Sequence, residues 1–188
     1  MEILKENINK LAEIYFQEIV SIRRHLHKYP ELSFQEEKTS EFICSKLDEW
    51  GVSYRKGIVK TGIVAELEGK NPGKVIGFRA DMDALPIFEN NDFEYASMHK
   101  GVMHACGHDV HTASLLGAIR ILKELIDQWS GKIKFVFQPG EERIPGGAKL
   151  MLEENLFGEE EPVLMVAQHV YPDLEAGKVG FRSGQYMA

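Results

Sequence analysis

The densest chemistry in this sequence lies at residues 103–111, Met103-His104-Ala105-Cys106-Gly107-His108-Asp109-Val110-His111, where three of the seven histidines fall within eight residues. Cys106 and His108 stand two apart. In an extended segment both side chains point to the same side. A thiolate and an imidazole, joined by a carboxylate and another imidazole from later loops, form a ligand set for a divalent transition metal. The plainer alternative is a cysteine acting as a small hydrophobe beside solvated loop histidines. The second cluster is Glu141-Glu142, directly after an apolar run. Adjacent carboxylates repel each other unless something positive is near, and in metal hydrolases one such group coordinates while its neighbour takes a proton from water. A surface pair or a helix N-terminal pair would read the same way. Asp81 and Asp83, on alternate residues, suit either the orienting of ligands or the capping of a loop.

His169 closes a later apolar run. His25 and His27 read as solvent-facing, and His99 carries no signal. A Cys106 nucleophile activated by His104, His108 or His111 is a different use of the same residues, but it leaves Glu141, Glu142 and His169 without a role. A phosphate site is excluded, because no glycine loop of the required form opens a helix.

These residues need elements to position them. Apolar residues Ile8, Leu11, Ile14, Tyr15, Ile19, Ile22 and Leu26 recur at three and four, predicting a long helix over 5–27 with one buried face. A second helix is expected over 35–50, stopping at Gly51. The period then changes, and 52–58, 62–68 and 74–79 read as strands, the last two joined by a turn at 69–73. Beyond a polar loop over 84–108 come a helix at 110–126, a strand at 132–138, a short helix at 147–153 and a strand at 163–168. Strands with helices between them predict an α/β fold with a central mixed sheet flanked by helices. In such folds sites lie beyond the carboxyl ends of strands, which is where Asp81, Asp83, Glu141, Glu142 and His169 fall.

Composition bounds the rest. The chain has 188 residues, 44% hydrophobic and 27% charged, with a formal charge of −7. That suffices for a folded core, and an acidic balance argues against a nucleic-acid surface. No apolar run approaches the roughly 18–20 residues that span a bilayer, and the opening MEILKENINK lacks the apolar stretch of a secretory signal. A cytoplasmic location without membrane contact is expected. Cys44 and Cys106 are the only cysteines, which excludes a disulfide framework and a structural zinc knuckle of CxxC spacing.

Taken in order, RRHLHKYPELSFQEEKTSEFI, GFRADMDALPI, MHACGHDVHTASLLGA, FVFQPGEE, GGAKLM and HVYPDLEAGKVGFRSG resemble the N-acyl amino acid amidohydrolases of the M20 peptidase family. The likeness is greatest to the branch with hippurate hydrolase, auxin-conjugate hydrolase and N-acetyldiaminopimelate deacetylase. The resemblance implies a zinc-exopeptidase-like catalytic domain with two divalent metal ions (Mn²⁺, Zn²⁺, Co²⁺ or Ni²⁺). It further implies Cys106, His108, Glu142 and His169 as ligands, Glu141 as general base and Asp83 as a residue behind the ligands. The implied reaction is metal-assisted hydrolysis of an N-acyl amino acid amide, a small-molecule substrate. Gly140, where the family commonly has Ala, and Gln168 before the histidine are departures that remove no ligand.

Family members are roughly twice as long and often homo-oligomeric, with an inserted lid or dimerisation domain and a fifth ligand, a histidine, near the C-terminus. The stretch Gly184-Gln185-Tyr186-Met187-Ala188 falls where that insertion would begin. Residues 1–188 are therefore expected to be the N-terminal portion of the catalytic domain, incomplete without the lid and the last catalytic segment. The alternatives are a non-catalytic remnant that binds a divalent metal or a partner chain, and a Cys106 thiol hydrolase.

Overall fold

The computed structural model describes residues 2–181, 183 and 184. Residues 185–188, where the inserted domain is expected to begin, lie outside the described residues. Four helices, α1 (Glu2–Lys28), α2 (Glu37–Glu49), α3 (His108–Glu124) and α4 (Gly147–Glu153), accompany five strands. These are β1 (Ser53–Ile58), β2 (Gly62–Glu68), β3 (Asn71–Asp81), β4 (Ser130–Gln138) and β5 (Met165–Ala167).

The sheet order is β1-β2-β4-β3-β5. β1, β2 and β4 pair antiparallel, whereas β3 runs parallel to both β4 and β5. This is the central mixed sheet expected from the sequence, with one difference. Consecutive β2 and β3 do not form a hairpin, because β4 lies between them. The connection is pulled across the end of β4 by backbone bonds from Gly69 N–H to Gly131 O (2.9 Å) and from Lys70 N–H to Trp129 O (3.0 Å). Local turn chemistry at 69–73 could not show this, since the inserted strand arrives about sixty residues later in the chain.

Alternation along the strands sorts the core. Ile63, Ala65 and Leu67 of β2 and Phe135 and Phe137 of β4 pack with α1, α2 and α3 residues Leu26, Leu47 and Leu116. The intervening Val64 and Val136 join Met151 of α4 and Leu156 in a second cluster. Phe135 and Phe137 are completely buried, each stabilising the fold by roughly 1.5–3 kcal/mol relative to an exposed ring. Ile14, predicted on the inner face of α1, is instead 58% exposed; its period partners Ile22 and Leu26 are buried. β5 is an edge strand with all three residues exposed.

Two boundary differences bear on chemistry. β3 extends to Asp81, which pairs with Gln138, so Asp81 belongs to the strand rather than to the loop after it. α3 begins at His108, two residues earlier than its apolar stripe suggests, because Gly107 adopts φ +85° and turns the chain directly into the helix. Among the described residues no helix is long and apolar enough to cross a membrane.

Candidate metal centre

β3, β4 and β5 are parallel neighbours, so the segments after Asp81, Gln138 and Ala167 leave from one edge of the sheet. The first turn of α3 meets them there. His108 is wholly buried, and its Nδ1–H donates to the backbone carbonyl of Asp83 at 2.9 Å. That bond leaves the Nε2 lone pair free, and Nε2 is buried with no hydrogen-bond partner. Around it stand Glu142 Oε1 at 3.7 Å, Asp81 Oδ2 at 3.8 Å and Glu141 Oε2 at 3.9 Å. These distances are too long for hydrogen bonds. Glu142 Oε1 is likewise buried and unpartnered.

Cys106 Sγ lies 3.3 Å from His169 Nε2. His169 Nδ1–H donates to the Val170 carbonyl (2.7 Å), which turns Nε2 toward the sulfur. Ligand atoms of Cys106, His108 and His169 fall within 4.8 Å of one another, as do those of His108, Glu141 and Glu142, and those of Asp81, His108 and His111. His108 belongs to all three groups. Convergent ligand atoms, with His108 Nε2 and Glu142 Oε1 buried and left apart at 3.7 Å, in a set of one sulfur, three imidazoles and carboxylates, fit divalent transition metals.

The surroundings hold these groups in place. Asp83 is buried; its Oδ2 accepts from Ser33 Oγ (2.7 Å) and from the Glu142 backbone N–H (2.9 Å). Burial would raise the Asp83 carboxyl, but His108, Ser33 and the backbone donors outweigh it and hold the group below the usual range. Asp81 Oδ1 accepts from His111 Nδ1 at 2.6 Å, and Arg79 pairs with its other oxygen at 2.8 Å. Against the penalty of burial, His111, His108 and Arg79 bring Asp81 down to about 2. His111 Nε2 in turn accepts from the Val170 N–H (2.9 Å), which fixes the segment carrying His169. Burial lowers His108, yet Asp83, Asp81 and Glu142 overrule it and raise the ring above its ordinary value. Glu141 is pushed up by burial and by the charge of Asp81.

In the metal-free chain burial and the neighbouring Glu142 push the Cys106 thiol up to about 12. A protonated thiol is a poor nucleophile. None of His104, His108 and His111, weighed above as activators, hydrogen-bonds the sulfur. The activators named for the thiol-hydrolase alternative are therefore not at the sulfur, whose one imidazole neighbour is His169, and burial disfavours the thiolate.

His27 is not solvent-facing. It is 3% exposed, and its ring donates to Asp109 (2.7 Å) and Glu89 (3.0 Å). Burial lowers it, but those two carboxylates together hold it above its ordinary value. Arg23 also pairs with Asp109 at 2.8 Å, tying α1 to the first turn of α3 beside His108. Sequence reasoning gave Asp109 and Glu36 no role. Their only signal was an acidic side chain close to an apolar helix stripe, which cannot reveal partners many tens of residues away.

Comparison with known proteins shows the family of this chain. The profile of peptidase family M20/M25/M40 matches residues 77–186. An N-acyl-L-amino acid amidohydrolase from Geobacillus stearothermophilus is 46% identical over 184 residues, covering 98% of this chain and 49% of the relative. An N-acetyl-L-cysteine deacetylase from Bacillus subtilis is 46% identical over 186 residues, covering 98% of this chain and 44% of the relative. Among solved structures, a dinuclear metal-binding peptidase of the M20 family from Bacillus subtilis superposes with a TM-score of 0.86 at 39% identity, covering 92% of this chain and 48% of that one. The fold thus defines a mixed α/β domain with a candidate metal centre at one sheet edge. The chain belongs to peptidase family M20/M25/M40 and spans about half the length of the curated relatives it matches.

Proposed function

We propose that residues 1–188 form the N-terminal portion of the catalytic domain of a cytoplasmic, metal-dependent amidohydrolase that deacylates N-acyl amino acids. The observation that carries this reading is the pair of buried, unpartnered atoms His108 Nε2 and Glu142 Oε1, 3.7 Å apart and beside Cys106. Cys106, His108, Glu142 and His169 would hold two divalent ions, which supply Lewis acidity to the acyl carbonyl and to water. Mixed sulfur, nitrogen and oxygen donors suit Zn²⁺, Mn²⁺, Co²⁺ or Ni²⁺. Glu141 is the general base. Its carboxylate is 41% exposed and raised above the ordinary carboxylate value, so it can take a proton from water and deliver it to the leaving amine. Asp83 fixes the His108 tautomer through its carbonyl and the Glu142 backbone through its carboxylate.

The test compares two neighbouring variants. Glu141→Gln abolishes hydrolysis of N-acetyl and N-benzoyl amino acids while metal content stays near wild type, whereas Glu142→Ala lowers metal content. Equal metal loss in both refutes the division of labour. Chelator-resistant hydrolysis that is lost in Cys106→Ala would replace this reading with the thiol mechanism.

A further inference from the structure

The Glu141 peptide is held on both sides by carboxylates from earlier segments, one of them more than a hundred residues away. On its N-terminal side the Gly140 N–H donates to Glu36 Oε1 at 2.8 Å. On its C-terminal side the Glu142 N–H donates to Asp83 Oδ2, the oxygen that also accepts from Ser33. Ser33 and Glu36 thus anchor the loop before and after the general base, Glu36 directly and Ser33 through Asp83.

Glu36 is unusual for a residue with no part in holding metal. It is 0% exposed, and among the described residues no Lys, Arg or His pairs with it. Its carboxylate is satisfied instead by three neutral donors: Gly140 N–H, Phe34 N–H (2.9 Å) and Thr61 Oγ (2.8 Å). The backbone around it is strained. Phe34 has φ +63°, and Val59 and Lys60, in the turn that delivers Thr61, have φ +49° and +72°; bulky and β-branched residues rarely occupy that region. Such strain persists where surrounding structure over-determines it, and it gathers at functional sites. The Phe34 ring also lies against Gly140 so closely that a Cβ there would sit 2.3 Å from it.

We infer that Ser33 and Glu36 are positioning residues for the metal centre: they set the Gly140–Glu142 backbone so that Glu142 faces His108 and Glu141 stands beside it. This rests on the metal-centre reading above and adds to it a brace with no ligand of its own. Removing partners behind metal ligands typically costs about 10–100-fold in metal affinity.

The test is Co²⁺ binding to the chelated 188-residue chain, read by its affinity, its d–d bands and its thiolate-to-cobalt absorption. Glu36→Ala should weaken binding by about 10–100-fold and change the d–d bands. Glu36→Gln, which keeps an acceptor for both N–H groups and can donate to Thr61, should bind close to wild type. Leu47→Ala, a buried α2 residue far from the loop in sequence, lowers stability and should leave affinity and spectrum unchanged. If Glu36→Ala does not fold, Ser33→Ala, which removes one hydroxyl from Asp83, should give a smaller change of the same kind. Wild-type affinity and spectrum in folded Glu36→Ala, or in Ser33→Ala in its place, overturn the brace alone. An equal affinity loss in Leu47→Ala also overturns it, by showing a merely structural effect. A wild-type chain that takes up no Co²⁺ overturns the metal-centre reading and the brace with it.

Discussion

His104 should make the metal-free chain acid-sensitive by a calculable amount. It is 5% exposed, and both ring nitrogens are buried without a partner. Burial is the main reason its pKa falls from 6.5 to about 4; Asp109 pulls it up, but His108 and His27 push it further down. The sign follows from comparing the two states. Above pH 6.5 the ring is neutral in both, so it contributes nothing to pH dependence. Between about pH 6.5 and pH 4 the unfolded chain binds a proton that the folded chain refuses, and stability falls as pH falls. At 1.36 kcal/mol per pH unit the full effect is about 3 kcal/mol, of which about 2 kcal/mol is reached by pH 5. His104→Leu removes the titrating group and two unsatisfied nitrogens at similar volume. Urea unfolding in EDTA, followed by the fluorescence of Trp50 and Trp129, should show wild type losing about 2 kcal/mol more than His104→Leu between pH 7.5 and pH 5. Equal losses in both proteins would refute the reasoning.

Two further outcomes are expected. With the thiol at about 12 rather than 9.0, Cys106 in the chelated chain should react with iodoacetamide at pH 8 on the order of a thousandfold more slowly than a free cysteine, read by site-resolved mass spectrometry. Reaction at the free rate would restore a thiolate role. Gly147→Ala should destabilise the chain by on the order of 3 kcal/mol, since a Cβ there would lie 1.7 Å from the Pro139 carbonyl oxygen, in the loop that carries the two glutamates. Unchanged thermal unfolding of that variant would count against the close contact.

Some of the candidate site was legible before any fold: residue type, spacing and place after apolar runs nominate Cys106, His108, Glu141, Glu142 and His169, but the surface and core alternatives stay open until the family resemblance is drawn. The strand alternation at 62–68 and 132–138 likewise reports which side chains face the helices, because side-chain direction along a strand is a local property. His27 shows the limit. Three residues past Arg24 on a charged stretch of α1, it reads as exposed; only contact with Asp109 and Glu89, 82 and 62 residues away, turns it into a buried brace.

The amino-acid order alone determined the α/β class, the run of helices and strands, and the candidate metal ligands, because local periodicity and donor chemistry are written in short stretches of chain. Tertiary structure decided which strands become neighbours, that β4 enters between β2 and β3, and that Glu36 and Ser33 hold the loop of Glu141. Those outcomes depend on desolvation and on hydrogen bonds between groups tens to a hundred residues apart, which no local pattern encodes.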